Sequence, residues 1–253
     1  MTFCQALKGQ IPRNIEIPHV ESVFSLQGIL LSNVRPSKPQ RIHELPEAAI
    51  DLLSFWASHS QGLHSTCHSL WIEGLKSRRA HIHIEDISLA LHSEYLQLIL
   101  DSWDRLFELL QIQSSLLHTL AHGDFTPWNM YLANGKLSLY DFELAGTYPA
   151  WYDFFHFHYQ KGLLQDRRSY LHIREKVNQG KSLSIIKKWL RLQDQDWNSY
   201  HLAYLLELGI NCLLRYSQER NHVVQSFWML QLLTDAYQDH FWYNAFDKNH
   251  QNK

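Results

Sequence analysis

Glycine is scarce in this sequence. The 253 residues include ten glycines, and the closest two, Gly135 and Gly146, are eleven positions apart. A dinucleotide-binding fingerprint needs glycines two and three positions apart, and a Walker A loop needs a pair five apart. The chain therefore contains neither of these nucleotide-binding loops.

Cysteine, net charge and long apolar runs are also limited. The three cysteines are scattered and odd in number, which favours a reducing compartment over a disulfide framework. The 23 basic and 25 acidic residues leave a net charge of −2, which argues against binding nucleic acid on a basic face. No apolar run approaches the roughly 18 residues of a membrane span, and the N-terminal residues do not form a signal peptide. We therefore expect a cytoplasmic protein that binds neither nucleic acid nor membrane.

The hydrophobic pattern divides the chain into a short extended part and a long helical part. Residues 13–34 alternate loosely between apolar and polar side chains, which predicts strands. Two prolines at 35–39 predict a loop or boundary. From Pro46 onward apolar residues recur at helical spacing, most clearly over 93–118. The same pattern predicts further helices near 153–163, 182–192, 197–217 and 222–240.

One β-hairpin is predicted within the helical part. Residues 130–140 form two short strand patterns on either side of Asn134-Gly135, a dipeptide that favours a type I′ turn. A two-residue turn brings the two ends of an antiparallel hairpin together. Asn129, just before the hairpin, and Asp141, just after it, should therefore face one site.

These hairpin ends carry side chains suited to phosphoryl transfer. The oxygens of Asn129 and Asp141 are ligands that Mg²⁺ accepts, together with phosphate and water. Asp124 lies five residues before Asn129, and its carboxylate can orient and deprotonate a hydroxyl. A metal site beside such a base is what phosphoryl transfer requires.

The ordered motifs resemble those of a known family. HGD at 122–124 with Asn129, followed by DFE at 141–143, resembles the catalytic and metal-binding loops of the aminoglycoside phosphotransferase and choline kinase family. The resemblance implies an α+β, protein-kinase-like fold. In it, a mainly helical C-terminal lobe carries the catalytic hairpin, and the β-containing N-terminal lobe is reduced.

The resemblance also implies a role for each matching residue. Asp124 would be the catalytic base, and Asn129 and Asp141 would hold Mg²⁺ beside ATP. Asp153, at the start of the helix that follows the motifs, would brace the catalytic loop. We expect His122 to support that loop through a hydrogen bond.

The N-terminal lobe is the least complete part of the resemblance. We place the nucleotide-binding hinge at Ser32, Asn33 and Val34, because about 90 residues separate it from the catalytic loop, which fits the helical lobe. Lys8 is the sole lysine upstream, and there is little room there for the expected strands and helix. A truncated, fragmentary or divergent N-terminal lobe is therefore favoured over an ion pair made by Lys8.

Three functions follow as expectations. The first is ATP-dependent transfer of a γ-phosphoryl group to a hydroxyl of a small molecule, with residues 1–36 as the N-terminal remnant and hinge. Residues 37–253 would then form the helical lobe, with the catalytic loop at 121–143. The second is a non-catalytic kinase-like scaffold or inactive fragment, and the third is a metal-dependent hydrolase using the same carboxylates. The oligomeric state is left open.

Histidine, in contrast, is abundant, with 17 residues. The clusters at 64–68 and 81–83 each offer fewer ligands than a zinc site needs, so we interpret them as solvated surface side chains. His156 and His158 are two positions apart on a predicted helix and point in different directions. Either one of them lines the substrate cleft, or both serve packing.

Overall fold

The computed structural model describes most of the chain and divides it into two compact units. Unit 1 combines Met1–Leu63 with His118–Lys161, and unit 2 combines His64–Leu117 with Gly162–Lys253. The described residues are 11–18, 20–24, 28–31, 40–59, 64–82, 93–111, 116–192, 196–218 and 224–239. The loop at 35–39 lies outside them, as do Lys8 and the hinge residues Ser32, Asn33 and Val34.

The predicted hairpin supplies two adjacent strands of a three-stranded sheet in unit 1, and its second strand is the central one. Strand β5 (Met130–Ala133) pairs antiparallel with β6 (Lys136–Leu139), and β1 (Ile15–Glu16) adds to β6 in parallel. The turn residues Asn134 and Gly135 have φ values of 51° and 73°, as a type I′ turn requires. The hairpin is thus confirmed, and its third strand comes from the N-terminal segment.

Unit 1 contains two further antiparallel pairs of strands. Strand β2 (Val20–Phe24) pairs with β3 (Gly28–Leu31), which confirms extended structure within 13–34. Strand β4 (His118–Ala121) pairs with β7 (Gly146–Pro149). The second pair joins the segments just before and just after the HGD and DFE motifs, so it holds both motifs at one end of the same small sheet.

Two helices of unit 1 flank these strands. Helix α1 (Glu47–His59) directly follows Pro46, and its predicted apolar face of Ile50, Leu53 and Trp56 is buried. It packs against β4 and, less extensively, against β6. Helix α4 (Tyr152–Gln160) follows β7 and is buried along most of its length.

Unit 2 is helical in its described residues. Its helices are α2 (His64–Ala80), α3 (Ser93–Gln111), α5 (Tyr170–Val177), α6 (Lys181–Leu192), α7 (Trp197–Gln218) and α8 (Val224–Gln238). Helices α3, α7 and α8 pack against one another, and the indole Nε1 of Trp103 donates to the backbone oxygen of Leu206 at 2.9 Å. Over the described ranges, no helix has both the length and the hydropathy to cross a bilayer.

The predicted helix over 93–118 is wrong at its C-terminal end. Helix α3 ends at Gln111, and His118 is the first residue of strand β4. The apolar spacing continues through Leu116 and Leu117, but the backbone of His118 pairs with Pro149, which is 31 residues away. A long-range partner, which local spacing does not reveal, decides the structure here. The division between 1–36 and 37–253 stays a prediction.

Candidate active site

The catalytic loop runs from the end of β4 to the start of β5. A short 3₁₀ turn at Pro127–Asn129 closes it, and the backbone N–H of Asn129 donates to the oxygen of Thr126 at 3.0 Å. Beyond the hairpin, the backbone N–H of Tyr140 donates to the oxygen of Asn129 at 3.2 Å. Asn129 and Asp141, which directly follows Tyr140, are therefore brought together in backbone position as the hairpin predicts.

The side chain of Asp153 binds the backbone at the start of this loop. Its two carboxylate oxygens accept the N–H groups of His122 at 2.6 Å and of Gly123 at 3.0 Å. Burial raises the pKa of Asp153 to about 7, against the lowering effect of these two hydrogen bonds. Asp153 lies in the first turn of α4, where the helix dipole favours a carboxylate. The loop backbone is thus fixed to the helix that follows the motifs.

The His122 ring contacts the backbone both of the catalytic loop and of the segment that leaves the hairpin, and these contacts define its protonation state. Its Nε2 lies 2.8 Å from the backbone oxygen of Tyr140, and its Nδ1 lies 3.3 Å from the backbone N–H of Asp124. A carbonyl needs a donor and an N–H needs an acceptor, so the ring is neutral with its proton on Nε2. Burial lowers the pKa of His122 to about 4, which agrees with this state.

The Asp124 carboxylate is held on both of its oxygens. The amide Nδ2 of Asn129 donates to Oδ2 at 2.7 Å, and the imidazole Nε2 of His156 lies 3.1 Å from Oδ1. Burial raises the pKa of Asp124, but the hydrogen bond and charge of His156, with the bond from Asn129, outweigh it and hold the pKa below its usual value. The side chain remains 31% exposed, so a hydroxyl can reach it.

Asn129 and Asp141, at the two ends of the hairpin, offer two further oxygen donors. Within the described residues, the amide of Asn129 uses Nδ2 for its hydrogen bonds to Asp124, so its oxygen stays available as a ligand. The carboxylate of Asp141 is exposed, and its φ of 66° marks a sharp change of chain direction at the hairpin end. One amide oxygen and one carboxylate are hard donors of the kind Mg²⁺ accepts.

No larger metal-binding cluster accompanies this pair in the part of the chain that the structure describes. There, no three His, Cys, Asp or Glu side chains lie close enough together to hold an ion. His81 is exposed as predicted, but His68 is half-buried, and its Nδ1 accepts the backbone N–H of Leu116 at 3.3 Å. The interpretation of His68 as a solvated side chain is therefore wrong.

One residue of the site was not assigned from the sequence. His156 contacts Asp124 directly, whereas the sequence left its role open between the cleft and packing. The signal that could have found it is its position three residues after Asp153, since residues i and i+3 share a helix face. The structure places Asp124, Asn129, His122 and Asp153 together as expected. The hinge residues are outside its described range.

Two comparisons establish the class of fold and then the family. The chain is similar in structure to an ethanolamine kinase of Plasmodium vivax, with a TM-score of 0.55 and 14% sequence identity over 95% of this chain and 71% of that one. The fold is protein-kinase-like. The model of the phosphotransferase enzyme family (APH) matches residues 17–173, more than half of the chain and all of the site. The chain belongs to this family.

Two other results complete the comparisons. A solved amicoumacin kinase, hAmiN, in complex with AMP-PNP, Ca²⁺ and Ami matches at a TM-score of 0.39 and 15% identity, over 64% of this chain and 50% of that one. No curated protein matches the chain.

Proposed function

We propose that this chain is an ATP-dependent kinase that transfers a γ-phosphoryl group to a hydroxyl of a small molecule, with Asp124 as the base. The observation that carries the proposal is the Asp124 carboxylate, which is held on both oxygens yet partly exposed. Membership of the phosphotransferase family supports the reaction class. The fold shared with an ethanolamine kinase supports a small-molecule acceptor.

Asp124 orients the acceptor hydroxyl and takes its proton. Because the pKa of Asp124 is lowered, the carboxylate is ionised at neutral pH and can only accept hydrogen bonds. An acceptor O–H that donates to it has its oxygen lone pair held in a fixed direction. A carboxylate with a low pKa is a weak base, so proton transfer comes late and orientation is the larger part of its contribution.

The chemistry of the donor set fits a magnesium ion. We assign the oxygen of Asn129 and the carboxylate of Asp141 as its protein ligands, a small set that leaves positions for phosphate and water. When bound, the ion supplies positive charge against the phosphate oxygens. Asn129 has a second task, because its Nδ2 holds Asp124 while its oxygen serves as a ligand.

The nucleotide-contacting role of Ser32, Asn33 and Val34 stays a prediction. These residues would hold the base of ATP through their backbone, as implied by the family resemblance. A proline at Asn33 removes a backbone N–H and would test that contact. We expect Asn33→Pro to weaken binding of the ATP analogue AMP-PNP. The control Ser32→Ala keeps the backbone N–H and should leave binding within about twofold of the wild type.

The first test is whether the chain binds a nucleotide. We expect millimolar AMP-PNP with MgCl₂ to raise the melting temperature above that in MgCl₂ alone, because a ligand that binds the folded state stabilises it. Absence of this shift would favour the non-catalytic scaffold.

The second test identifies the acceptor. The chain is incubated with MgATP and, separately, with ethanolamine, choline, an aminoglycoside and amicoumacin, and phosphorylated products are detected by mass spectrometry. Transfer to any of these supports the kinase. Release of inorganic phosphate at a rate that no acceptor changes, and equally from ATP and GTP, would instead indicate the hydrolase.

A further inference from the structure

The imidazole of His156 contacts the Asp124 carboxylate directly, as does the amide of Asn129 from the catalytic motif. Its Nε2 lies 3.1 Å from Oδ1 of Asp124, and its side chain is only 8% exposed. We propose that His156 is a positioning residue that fixes the rotation of the Asp124 carboxylate toward the acceptor hydroxyl. The inference rests on the proposed function of Asp124 as base.

The direction of this hydrogen bond follows from the chemistry of the two groups. An ionised carboxylate only accepts hydrogen bonds, so Nε2 of His156 carries the proton and donates it. The bond is therefore charge-assisted, which makes it stronger than a bond between neutral groups. His156 thus acts on Asp124, and it needs no contact with the acceptor.

Two donors are needed because a carboxylate rotates easily. The torsion that turns the Asp carboxylate is broad, unlike the torsions between tetrahedral carbons, and has no sharp preferred angle. One hydrogen bond, from Asn129 to Oδ2, would leave the carboxylate free to rotate about that hydrogen bond. A second donor on Oδ1 removes this freedom, and the remaining lone pair of each oxygen is then presented in a fixed direction.

His156 is itself held by a stack of aromatic rings. Its ring is nearly parallel to that of Tyr152, one helical turn earlier, at 5.6 Å and 18° between planes. Tyr152 in turn stacks on Tyr148 of β7 at 4.4 Å, and the Tyr148 hydroxyl donates to the backbone oxygen of Leu144 at 3.1 Å. The donor nitrogen is thus supported by a helix and a strand of the same unit.

One helix face therefore fixes both the backbone and the side chain of the base. Asp153 binds the N–H groups of His122 and Gly123, and His156, three residues later, binds the Asp124 side chain. Because α4 is a regular helix at both positions, the distance between the two anchors is set by its geometry. A displacement of about 1 Å at a reacting group can cost about a hundredfold in rate.

The test compares three variants with the wild type: Asp124→Asn, His156→Ala and His156→Gln. Turnover of MgATP is measured with the best acceptor from the panel above, and kcat and the KM for ATP are determined separately. We expect His156→Ala to lower kcat by about ten- to a hundredfold with the KM for ATP within about twofold, since the change acts on Asp124 and alters neither of the proposed metal ligands. His156→Gln, whose Nε2 can donate from nearly the same place, should recover most of kcat.

A control variant and a double-mutant cycle distinguish a positioning role of His156 from a folding defect. His158→Ala removes a half-buried histidine of the same helix and should leave kcat within about twofold. In the Asp124→Asn background, adding His156→Ala should lower the residual rate far less than it does in the wild type, because both changes act through one group.

The outcomes distinguish the two claims. Loss of activity in Asp124→Asn with full kcat in His156→Ala would overturn the positioning role and leave the proposed function intact. Equal loss in His156→Ala and His156→Gln would also overturn it, because the hydrogen bond would not be the cause. Full activity of Asp124→Asn would overturn the proposed function itself.

Discussion

Gly123 and Leu144 are so close that no side chain fits between them. A Cβ built on Gly123 would lie 2.2 Å from the backbone oxygen of Leu144. Gly123 also has a φ of 83°, which residues with a side chain rarely adopt. The close approach of the two loops that carry the HGD and DFE motifs therefore requires a glycine at position 123.

Replacing this glycine should be costly, and the chain offers a matched control. Gly135 also has a positive φ, of 73°, but a Cβ there would meet nothing within 4 Å. We expect Gly135→Ala to lower the free energy of unfolding by about 1 kcal/mol, the cost of the backbone conformation alone. Gly123→Ala should cost at least about 2 kcal/mol more, because the loop must also move. Urea denaturation of both variants measures the difference, and equal losses would contradict the steric argument.

The bracing role of Asp153 predicts a loss of stability when one acceptor is removed. Asp153→Asn places an NH₂ group opposite a backbone N–H, which leaves a buried donor without an acceptor at a cost of about 1–3 kcal/mol. Asp101→Asn changes an exposed carboxylate and should stay within about 0.5 kcal/mol of the wild type. If the two variants unfold at the same urea concentration, Asp153 does not brace the loop.

The assignment of Asp141 as a magnesium ligand predicts a binding defect without a folding defect. Asp141→Asn keeps a residue type that tolerates the observed φ of 66° but removes the negative charge. We expect AMP-PNP to bind at least about tenfold more weakly in the presence of Mg²⁺, by isothermal titration calorimetry, with an unchanged melting temperature of the free protein. Glu108→Gln, an exposed change in α3, is the charge-matched control, and equal affinities in the two variants would remove Asp141 from the site.

His201 predicts part of the pH dependence of stability. It is fully buried in α7, and burial, with a smaller effect of Arg174, lowers its pKa to about 3. The folded state therefore binds fewer protons than the unfolded state between about pH 6.5 and 3, so stability falls as the pH falls through this window.

A substitution isolates this contribution. Between pH 7 and pH 5, the wild type should lose about 2 kcal/mol more stability than His201→Gln, which cannot titrate. His172→Gln, at an exposed position of α5, should lose as much as the wild type. Parallel pH curves for the wild type and His201→Gln would show that this histidine is not held neutral.

A partly buried ion pair in unit 2 joins the half-buried Arg78 to the buried Glu207. The guanidinium of Arg78 binds both carboxylate oxygens of Glu207, at 2.6 and 2.8 Å, and Trp71 Nε1 donates to the same carboxylate at 2.8 Å. Glu207→Ala should cost about 3 kcal/mol, because it leaves Arg78 and Trp71 without this acceptor. Glu73→Ala, which breaks an exposed pair with Lys76, should cost less than about 0.5 kcal/mol. Similar losses in the two variants, by urea denaturation, would contradict this account.

Local patterns predicted the parts of the fold that depend on neighbours in the chain. Asn134-Gly135 predicts its turn because few residues adopt positive φ, and the face of Ile50, Leu53 and Trp56 follows from helical spacing. The hairpin predicts that Asn129 and Asp141 face one site near Asp124, whereas the hydrogen bonds from Asn129 to Asp124 were not predicted.

Contacts between distant segments were not predictable in this way. Strand β4 depends on pairing with β7, and the parallel strand at Ile15–Glu16 depends on the hairpin. The contact between His156 and Asp124 depends on how α4 lies against the loop, to which Asp153 of the same helix also binds. A tertiary arrangement sets each of these, and neither propensity nor periodicity contains it.

The rate of phosphoryl transfer in Asp124→Asn tests the central claim most directly. The variant keeps the size of the side chain and removes its charge and basicity, and circular dichroism can verify its fold. With MgATP and the best acceptor of the panel, we predict a loss of kcat of more than about a hundredfold, with AMP-PNP binding retained. A variant that transfers phosphate within about twofold of the wild-type rate would contradict the assignment of Asp124 as the base.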